Sequence, residues 1–337
     1  MLKKFWNHRY RIIFLVVTVF SLWYLDGVLS IKNDDGIMQA SAMYYQPRNT
    51  VDVVMMGSSH VHYDIDTGKL WKEHGIAAYD YSAAEQPLWM TYHYLKEICK
   101  YQKPKLLVLD VYSPALQKDD YQYKWMLPNV LGMRFSLNKL EMLRVSCEKE
   151  HYFEYFPSFA VYHGRLNGLT KDDFAYPIRK FTYLRNFKGF KPMTKVAPQP
   201  MPQITQTGVG ELTEKSELYL HKIIDYAKKN GIELYFIVTP YVINDEQELV
   251  FNRLKEIAGE NDIGFTNANH DYDAIGLDFE KDFMDESHLN YYGAEKFTEY
   301  LGKDIAGRFD LPDHRGDKRY KSWDANCREI EKAVNAG

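Results

Sequence analysis

The stretch Val51-Asp52-Val53-Val54-Met55-Met56-Gly57-Ser58-Ser59-His60 decides how the rest of the chain is read. Its first six residues are mostly β-branched or long and apolar, without the polar alternation of a half-exposed strand, and a glycine closes the run. Strands buried on both faces, as in parallel sheets, show this continuity. Similar runs cover residues 76–81, 105–112 (KLLVLDVY) and 232–239 (IELYFIVT), and a weaker one covers 263–266. Helical spacings lie between and after them. Residues 86–101 place Leu88, Tyr92, Leu95 and Cys99 inward, and 213–229 put Leu220, Ile223, Ile224 and Ala227 on one face. Residues 248–258 form another helix, and 293–305 turn Phe297, Leu301 and Ile305 inward. Strands alternating with helices predict an α/β fold, a three-layer α/β/α sandwich around a doubly wound parallel sheet.

Between residues 116 and 210 the rhythm stops. That stretch is rich in Tyr, Phe, Lys and Pro and carries few strand signals, so it reads as a helical and irregular insertion of functional use. Pro198, Pro200 and Pro202 stiffen its return to the core.

Composition narrows the function classes. The chain has 337 residues, 45% hydrophobic and 26% charged, which excludes a disordered or fibrous protein. Its net charge of −4 leaves no basic excess for a nucleic-acid backbone, so no nucleic-acid partner is expected. Cys99, Cys147 and Cys327 share no metal-type spacing, and a core of this size needs no disulfide staples. The unusual feature is 15% aromatic residues with 27 Tyr, suited to surfaces that meet carbohydrate, lipid headgroups or a protein partner.

A mean hydropathy of −0.46 excludes a polytopic membrane protein but hides one local segment. Residues 12–25 (IIFLVVTVFSLWYL) carry no charge, and only Asp26 interrupts the stretch 12–31, long enough to cross a bilayer. Lys3, Lys4, Arg9 and Arg11 precede it, whereas Lys32 is followed by Asp34 and Asp35. This asymmetry keeps the N-terminus cytoplasmic and exports the rest. Trp23 and Tyr24 fall where an interfacial aromatic belt would lie. A cleaved signal peptide and a buried core helix are the rival readings. The only Ala-x-Ala, Ala40-Ser41-Ala42, lies too far beyond the apolar run for the former. The expected layout is a cytoplasmic basic tail (1–11), a transmembrane anchor (12–31), an extracytoplasmic catalytic domain (48–310) with the insertion at about 116–210, and a polar C-terminal tail (311–337).

In open α/β sheets, ligands bind beyond the carboxyl ends of the strands. Gly57-Ser58-Ser59-His60 follows the first strand, and Asp285-Glu286-Ser287-His288-Leu289-Asn290 precedes the last helix. An aspartate three residues before a histidine can hold its Nδ1–H while Nε2 faces a serine. Each half also has an ordinary reading: the serines as a helix N-cap, and Asp-x-x-His as a surface loop. A metal site from His60, His62, Asp64 and Asp66 needs an extended run and a second ligand cluster, which the chain does not offer. No metal or cofactor is expected.

These motifs resemble the SGNH/GDSL hydrolase superfamily. Met56-Gly57-Ser58-Ser59-His60 is followed, 226 positions after Ser59, by Asp285-Glu286-Ser287-His288-Leu289-Asn290 and then Gly293-Ala294. The resemblance is closer to its membrane-anchored, extracytoplasmic branches, which include the D-alanyl transfer protein of lipoteichoic acid synthesis and the alginate O-acetylation proteins. It covers about residues 50–112 and 213–308 and implies a flavodoxin-like SGNH fold. It makes Ser59 the nucleophile, with Ser58 in place of the usual Asp, the Ser59 N–H an oxyanion donor, and Asp285 and His288 the remaining triad.

The family's glycine and asparagine oxyanion donors have no counterpart here. The second turn reads Asp80-Tyr81-Ser82-Ala83-Ala84-Glu85-Gln86, and the third strand ends Asp110-Val111-Tyr112-Ser113-Pro114. Backbone N–H groups at Ser82 or Ala83 and the Gln86 amide are the substitutes. His60, Tyr241 after Pro240, and His163 and Arg165 of Tyr162-His163-Gly164-Arg165 are candidate substrate contacts, with the arginine able to grip a phosphate or carboxylate.

The resulting expectation is a membrane-anchored serine acylesterase or O-acyltransferase with an acyl-Ser59 intermediate. Its substrate is an envelope polysaccharide, teichoic acid or glycolipid. The resemblance also implies a polytopic membrane-bound O-acyltransferase as partner. The alternative is a non-catalytic glycan-binding envelope assembly factor on a degenerate SGNH fold.

Overall fold

The computed structural model describes residues 2–116, 123–156 and 161–336, with side chains from residue 8 onward apart from that of His163. Five parallel strands form one sheet: β1 (Val53–Met56), β2 (Ala78–Asp80), β3 (Leu106–Asp110), β4 (Glu233–Val238) and β5 (Gly264–Asn267), in the order β2-β1-β3-β4-β5. Each of the five apolar runs overlaps a strand. Most strands are shorter than their runs, because flanking residues such as Val51 and Ile76 are buried by packing beyond the paired strand.

The helices, in chain order, are α1 (Leu2–Leu29), α2 (Ile37–Met43), α3 (Ser59–Asp64), α4 (Thr67–His74), α5 (Leu88–Ile98), α6 (Tyr123–Val130), α7 (Leu137–Ser146), α8 (Lys171–Asn186), α9 (Glu214–Lys229), α10 (Asp245–Glu260), α11 (Tyr291–Arg308) and α12 (Lys321–Ala336), joined by single turns and loops. Strand alternation sorts the core into two layers. Val53, Met55, Leu106, Val108, Tyr235 and Ile237 face Val61 of α3, Leu70 of α4, and Phe297 and Leu301 of α11. On the other face, Val54, Met56, Leu107, Leu109, Phe236 and Val238 meet Leu95 of α5, Ile223 and Ile224 of α9, and Leu254 of α10. The sheet is thus covered on both sides, as a parallel sheet must be. Each fully buried large apolar side chain contributes roughly 1.5–3 kcal/mol before conformational entropy is set against it.

Local signals explain the helix ends. The Asp66 carboxylate accepts the N–H groups of Gly68 and Lys69 at 2.7 and 3.1 Å and starts α4. Thr213 caps α9, and after its last turn Gly231 adopts φ +66°, a left-handed conformation suited to glycine. Asn290 accepts the N–H groups of Tyr292 and Gly293 and starts α11.

The structure corrects two expected boundaries. The core begins before residue 48, since Met38, Ala40, Ala42 and Met43 of α2 are buried within it. Residues 311–337 are not simply a polar tail. They contain α12, whose Trp323 is fully buried and donates to the Ala78 carbonyl at 3.1 Å, while Tyr320 stacks on Trp71. The charged outer face of an amphipathic helix masks its buried stripe in any average of polarity. The insertion holds no strand among the described residues, but Met126, Val130 and Met142 reach the core. Its return segment runs along the sheet's carboxyl end, where the Lys191, Ala197 and Gln199 N–H groups donate to the carbonyls of His62, Phe283 and Phe279.

At the N-terminus, α1 contains one span, His8–Leu29, long and apolar enough to cross a membrane. Only 11% of its most apolar window is buried by the rest of the chain, which sets it apart from a core helix.

Candidate active site

In the strand order β2-β1-β3-β4-β5, connections from β1 leave in opposite directions on its two sides, so a crevice opens at the β1–β3 carboxyl ends. Gly57 ends β1 at φ +146°, and a Cβ there would lie 2.7 Å from the Asp110 Cβ. Only glycine lets the chain pass so close to the end of β3. Ser58 then donates its hydroxyl to the Asp110 carboxyl at 2.9 Å and accepts the His60 N–H, capping α3. Ser59 becomes the first residue of α3 and is 8% exposed. The N-cap reading is therefore met by Ser58, which leaves the Ser59 side chain free for other contacts.

The partner loop is a tight turn. Phe283 and Leu289 bridge in antiparallel fashion, and the Met284 N–H donates to the His288 carbonyl. Asp285 Oδ1 accepts the N–H groups of Ser287 and His288, both at 2.9 Å. The loop is tied to the sheet by the Leu289 N–H to Asp64 at 3.0 Å and by the Val242 N–H to the Glu286 carbonyl at 2.9 Å. Asp64 also accepts the Thr239 hydroxyl at 2.8 Å, so one buried carboxyl joins α3, the end of β4 and the loop.

These constraints bring Ser59, His288 and Asp285 together. Ser59 Oγ lies 2.8 Å from His288 Nε2, and His288 Nδ1 lies 3.0 and 3.2 Å from the two oxygens of Asp285. Side-chain exposure rises from 17% at His288 to 47% at Asp285, so the cluster has an open edge. Burial tends to raise the Asp285 carboxyl. Hydrogen bonds and charge from His288, with the N–H groups of Ser287 and His288, outweigh it and hold the group at about 2. It is an anion at neutral pH, as an orienter of imidazole should be.

Behind this row, two carboxyls move the other way. Burial pushes Asp110 up to about 7 and Asp64 well above the usual carboxylate range. Two histidines lie among them. Burial drives His60 far below its ordinary range, and its Nε2 sits 2.9 Å from Ser287 Oγ. His62, also kept neutral by burial, places Nδ1 3.0 Å from Ser82 Oγ. The run from His60 to Asp64 is helical, so His60 and His62 fall on different faces, unlike the extended arrangement the metal reading needs.

The other expected contacts divide. Tyr241 is buried behind the site, its ring 5.1 Å from His60 and 5.2 Å from Tyr112. His60 is fully buried too, so both back the wall and do not face a substrate. The Gln86 amide is not directed at Ser59: Nε2 donates to Asn129 and Oε1 accepts from Thr91, all within the core. Around β2, Tyr81 and Ala83 donate toward β1, while Asp80 donates to Lys188 on the opposite side. By that alternation the Ala83 N–H faces the Ser59 side, with a long 3.4 Å contact to the Gly57 carbonyl, and the Ser82 N–H turns away.

Arg165 is engaged elsewhere, donating to the Ser30 carbonyl and pairing with Asp173 at 2.7 Å. The His163 side chain lies outside the described residues.

One element of the site had no signal in the motifs. The Tyr63 ring packs 4.8 Å from that of His288, and its hydroxyl donates to Asp35 at 2.9 Å. Lys191 pairs with Asp34 and Asp35, each at 2.8 Å. Chain just beyond α1 and chain from the insertion's return therefore meet beside the histidine.

No protein-family profile and no curated protein matches the chain. Among solved structures, a Bacteroides fragilis protein provisionally described as an acylhydrolase is similar at 11% identity and a TM-score of 0.38, covering 82% of this chain and 100% of that one. A likeness that loose assigns no chemistry.

Proposed function

We propose that this protein is a membrane-anchored, extracytoplasmic serine acylesterase or O-acyltransferase of the SGNH type. The observation that carries the reading is the unbroken row Ser59 Oγ, His288 Nε2, His288 Nδ1, Asp285, at 2.8 and 3.0 Å. Ser59 attacks an ester carbonyl while its proton passes to His288 Nε2. The oxyanion that forms is met by the Ser59 N–H, and the Ala83 N–H stands in for the family's glycine donor when it gives up its long contact with the Gly57 carbonyl. His288 then protonates the leaving alcohol as the C–O bond breaks, and an acyl-Ser59 remains. Water or an acceptor hydroxyl gives its proton to His288 and takes the acyl group, and His288 returns that proton to Ser59 Oγ as the acyl-Ser59 bond breaks. Asp285 fixes the tautomer and stabilises the imidazolium.

The anchor reading of α1 is supported by its specific contacts with α8, among them the Tyr24 hydroxyl to the Phe174 carbonyl at 2.9 Å. An anchored site suits an acceptor held in the envelope: a polysaccharide, a teichoic acid or a glycolipid. A polytopic O-acyltransferase is the partner this chemistry calls for when acyl groups arrive from the other side of the membrane. A purely glycan-binding role leaves the alignment of the three groups without a use.

A fluorophosphonate probe on the full-length protein in detergent tests the reading. Labelling of the wild type and its loss in Ser59→Ala are expected. Equal labelling of both removes Ser59 as nucleophile.

A further inference from the structure

The outer end of α1 is tightly held. A Cβ on Gly27 would lie 2.9 Å from the Pro177 side chain, Trp23 stacks on Phe181 at 6.1 Å between centroids, and Lys180 lies 5.2 Å from the Trp23 ring. Trp23 with Phe181, Gly27 with Pro177 and Lys32 with Asp173 pair rising positions of the chain at α1 with falling positions of α8, so α8 packs antiparallel on the outer end of α1. There Lys32 and Arg165 both grip Asp173, at 2.8 and 2.7 Å, which fixes the exit of α1 to the first turn of α8.

Beside this contact α8 turns an apolar stripe outward, of which Phe181 touches Trp23 and Tyr45 at one edge. Phe174, Ile178 and Phe181 are 51%, 73% and 50% exposed and recur at i, i+4 and i+7, one stripe on the helix. Arg179 and Arg185 stand exposed beside it, while Asp173, Pro177, Lys180 and Leu184 form the buried side. A helix packed on the aromatic outer end of a membrane-spanning helix lies at headgroup height. Large apolar side chains flanked by arginines are the composition such helices carry.

We propose that α8 is a second membrane contact, an interfacial helix that seats Phe174, Ile178 and Phe181 in the leaflet where α1 emerges. The occupant of the stripe is lipid, because the stripe continues the lipid-facing surface of α1. The inference rests on α1 spanning the membrane and not on the chemistry at Ser59. Its consequence is a fixed orientation. One helix through the bilayer and a second seated where it emerges restrict the rotation and tilt of the domain. The six residues from Leu29 to Asp35 span at most about 20 Å. Asp35 holds Tyr63 against His288, so the site works on groups presented close to the bilayer.

Full-length protein in vesicles of phosphatidylcholine and phosphatidylglycerol gives the test. A bimane label is placed separately at Ile178→Cys, Arg179→Cys and Phe14→Cys, and quenched by lipids doxyl-labelled near the headgroup or by aqueous iodide. The native thiols are half-buried and pushed up to about 11 by burial, so they react slowly, and the unsubstituted chain supplies the background. The Ile178 label is expected to lose at least half its emission to the lipid quencher, at least twice the loss at Arg179, and to escape iodide. An iodide-quenched Ile178 label overturns the proposal, and so does one shielded from both quenchers, which means a protein covers the stripe. If the Phe14 label also escapes lipid, the anchor reading falls and takes α8 with it. Fluorophosphonate labelling of Ser59 in the same vesicles reports separately on the ester chemistry.

Discussion

Two serine–histidine–aspartate sets lie side by side in this protein. Ser59, His288 and Asp285 form one; Ser82, His62 and Asp35 form the other. In the first the contacts are 2.8 and 3.0 Å, and the aspartate opens to solvent. In the second the serine contact is 3.0 Å, but His62 Nε2 stands 4.0 Å from Asp35, beyond hydrogen-bonding distance, and Ser82 and His62 are fully buried. Asp35 is occupied by Lys191 and Tyr63 instead. Residue types are the same in both sets. What separates a reactive arrangement from a structural one is an unbroken relay and a path for substrate.

The sharpest way to break that distinction is at the nucleophile. Ser59→Ala should lower turnover of an activated ester such as p-nitrophenyl acetate by roughly 10⁶ and leave the unfolding transition unchanged. A loss under tenfold would put the chemistry elsewhere. Next comes Asp285→Asn, expected to cost about 10⁴ in turnover by releasing the wrong imidazole tautomer.

The same carboxylate carries a pH signature. Its folded pKa of about 2 lies below the ordinary 3.8, so its stabilisation is complete above about pH 4 and disappears as pH falls through 2. Because the group is nearly half exposed, screening leaves about 1 kcal/mol. Denaturant melts of wild type and Asp285→Asn should therefore differ at pH 5 and converge near pH 2.

Asp110, which braces Ser58, titrates in the opposite sense. Its folded pKa is raised to about 7, so its cost to stability grows as pH climbs from 4 to 7 and is constant above. Asp110→Asn keeps an acceptor for Ser58 and should gain on the order of 1–2 kcal/mol at pH 8 relative to wild type, with the gap closing toward pH 4. The smallest effect belongs to the second set. Ser82→Ala removes one buried hydrogen bond, about 1 kcal/mol of stability, and should change turnover less than threefold. A large activity loss there, with folding intact, would give His62 a chemical role.

Much of this is legible in the sequence itself. Continuous apolar runs marked the five strands because a doubly covered sheet tolerates no polar face. Gly57 to His60 and Asp285 to Asn290 were readable because each half of the site is local in sequence and only their junction is tertiary. Other features depend on long-range contacts. Asp35 and Lys191 are 156 positions apart, and no spacing rule joins them. From their positions after strands, His60 and Tyr241 read as substrate contacts and Gln86 as an oxyanion donor. Which of two neighbouring side chains faces the crevice depends on packing, and here it turned all three inward. Arg165 looked like an anion grip, but its partner is the aspartate eight residues on, which also holds Lys32.

The short segment after α1 also bears on how this protein can be handled by proteases. The Asp35 carbonyl accepts the Ala84 N–H, its carboxylate steadies Tyr63, and Met38 and Met43 fill the core beneath. A cut after Ala42, at the one site a signal peptidase would favour, would carry away a wall of the site along with its tether. Shedding into the medium there would release a molecule missing part of its own interior, not a soluble form of the same catalyst.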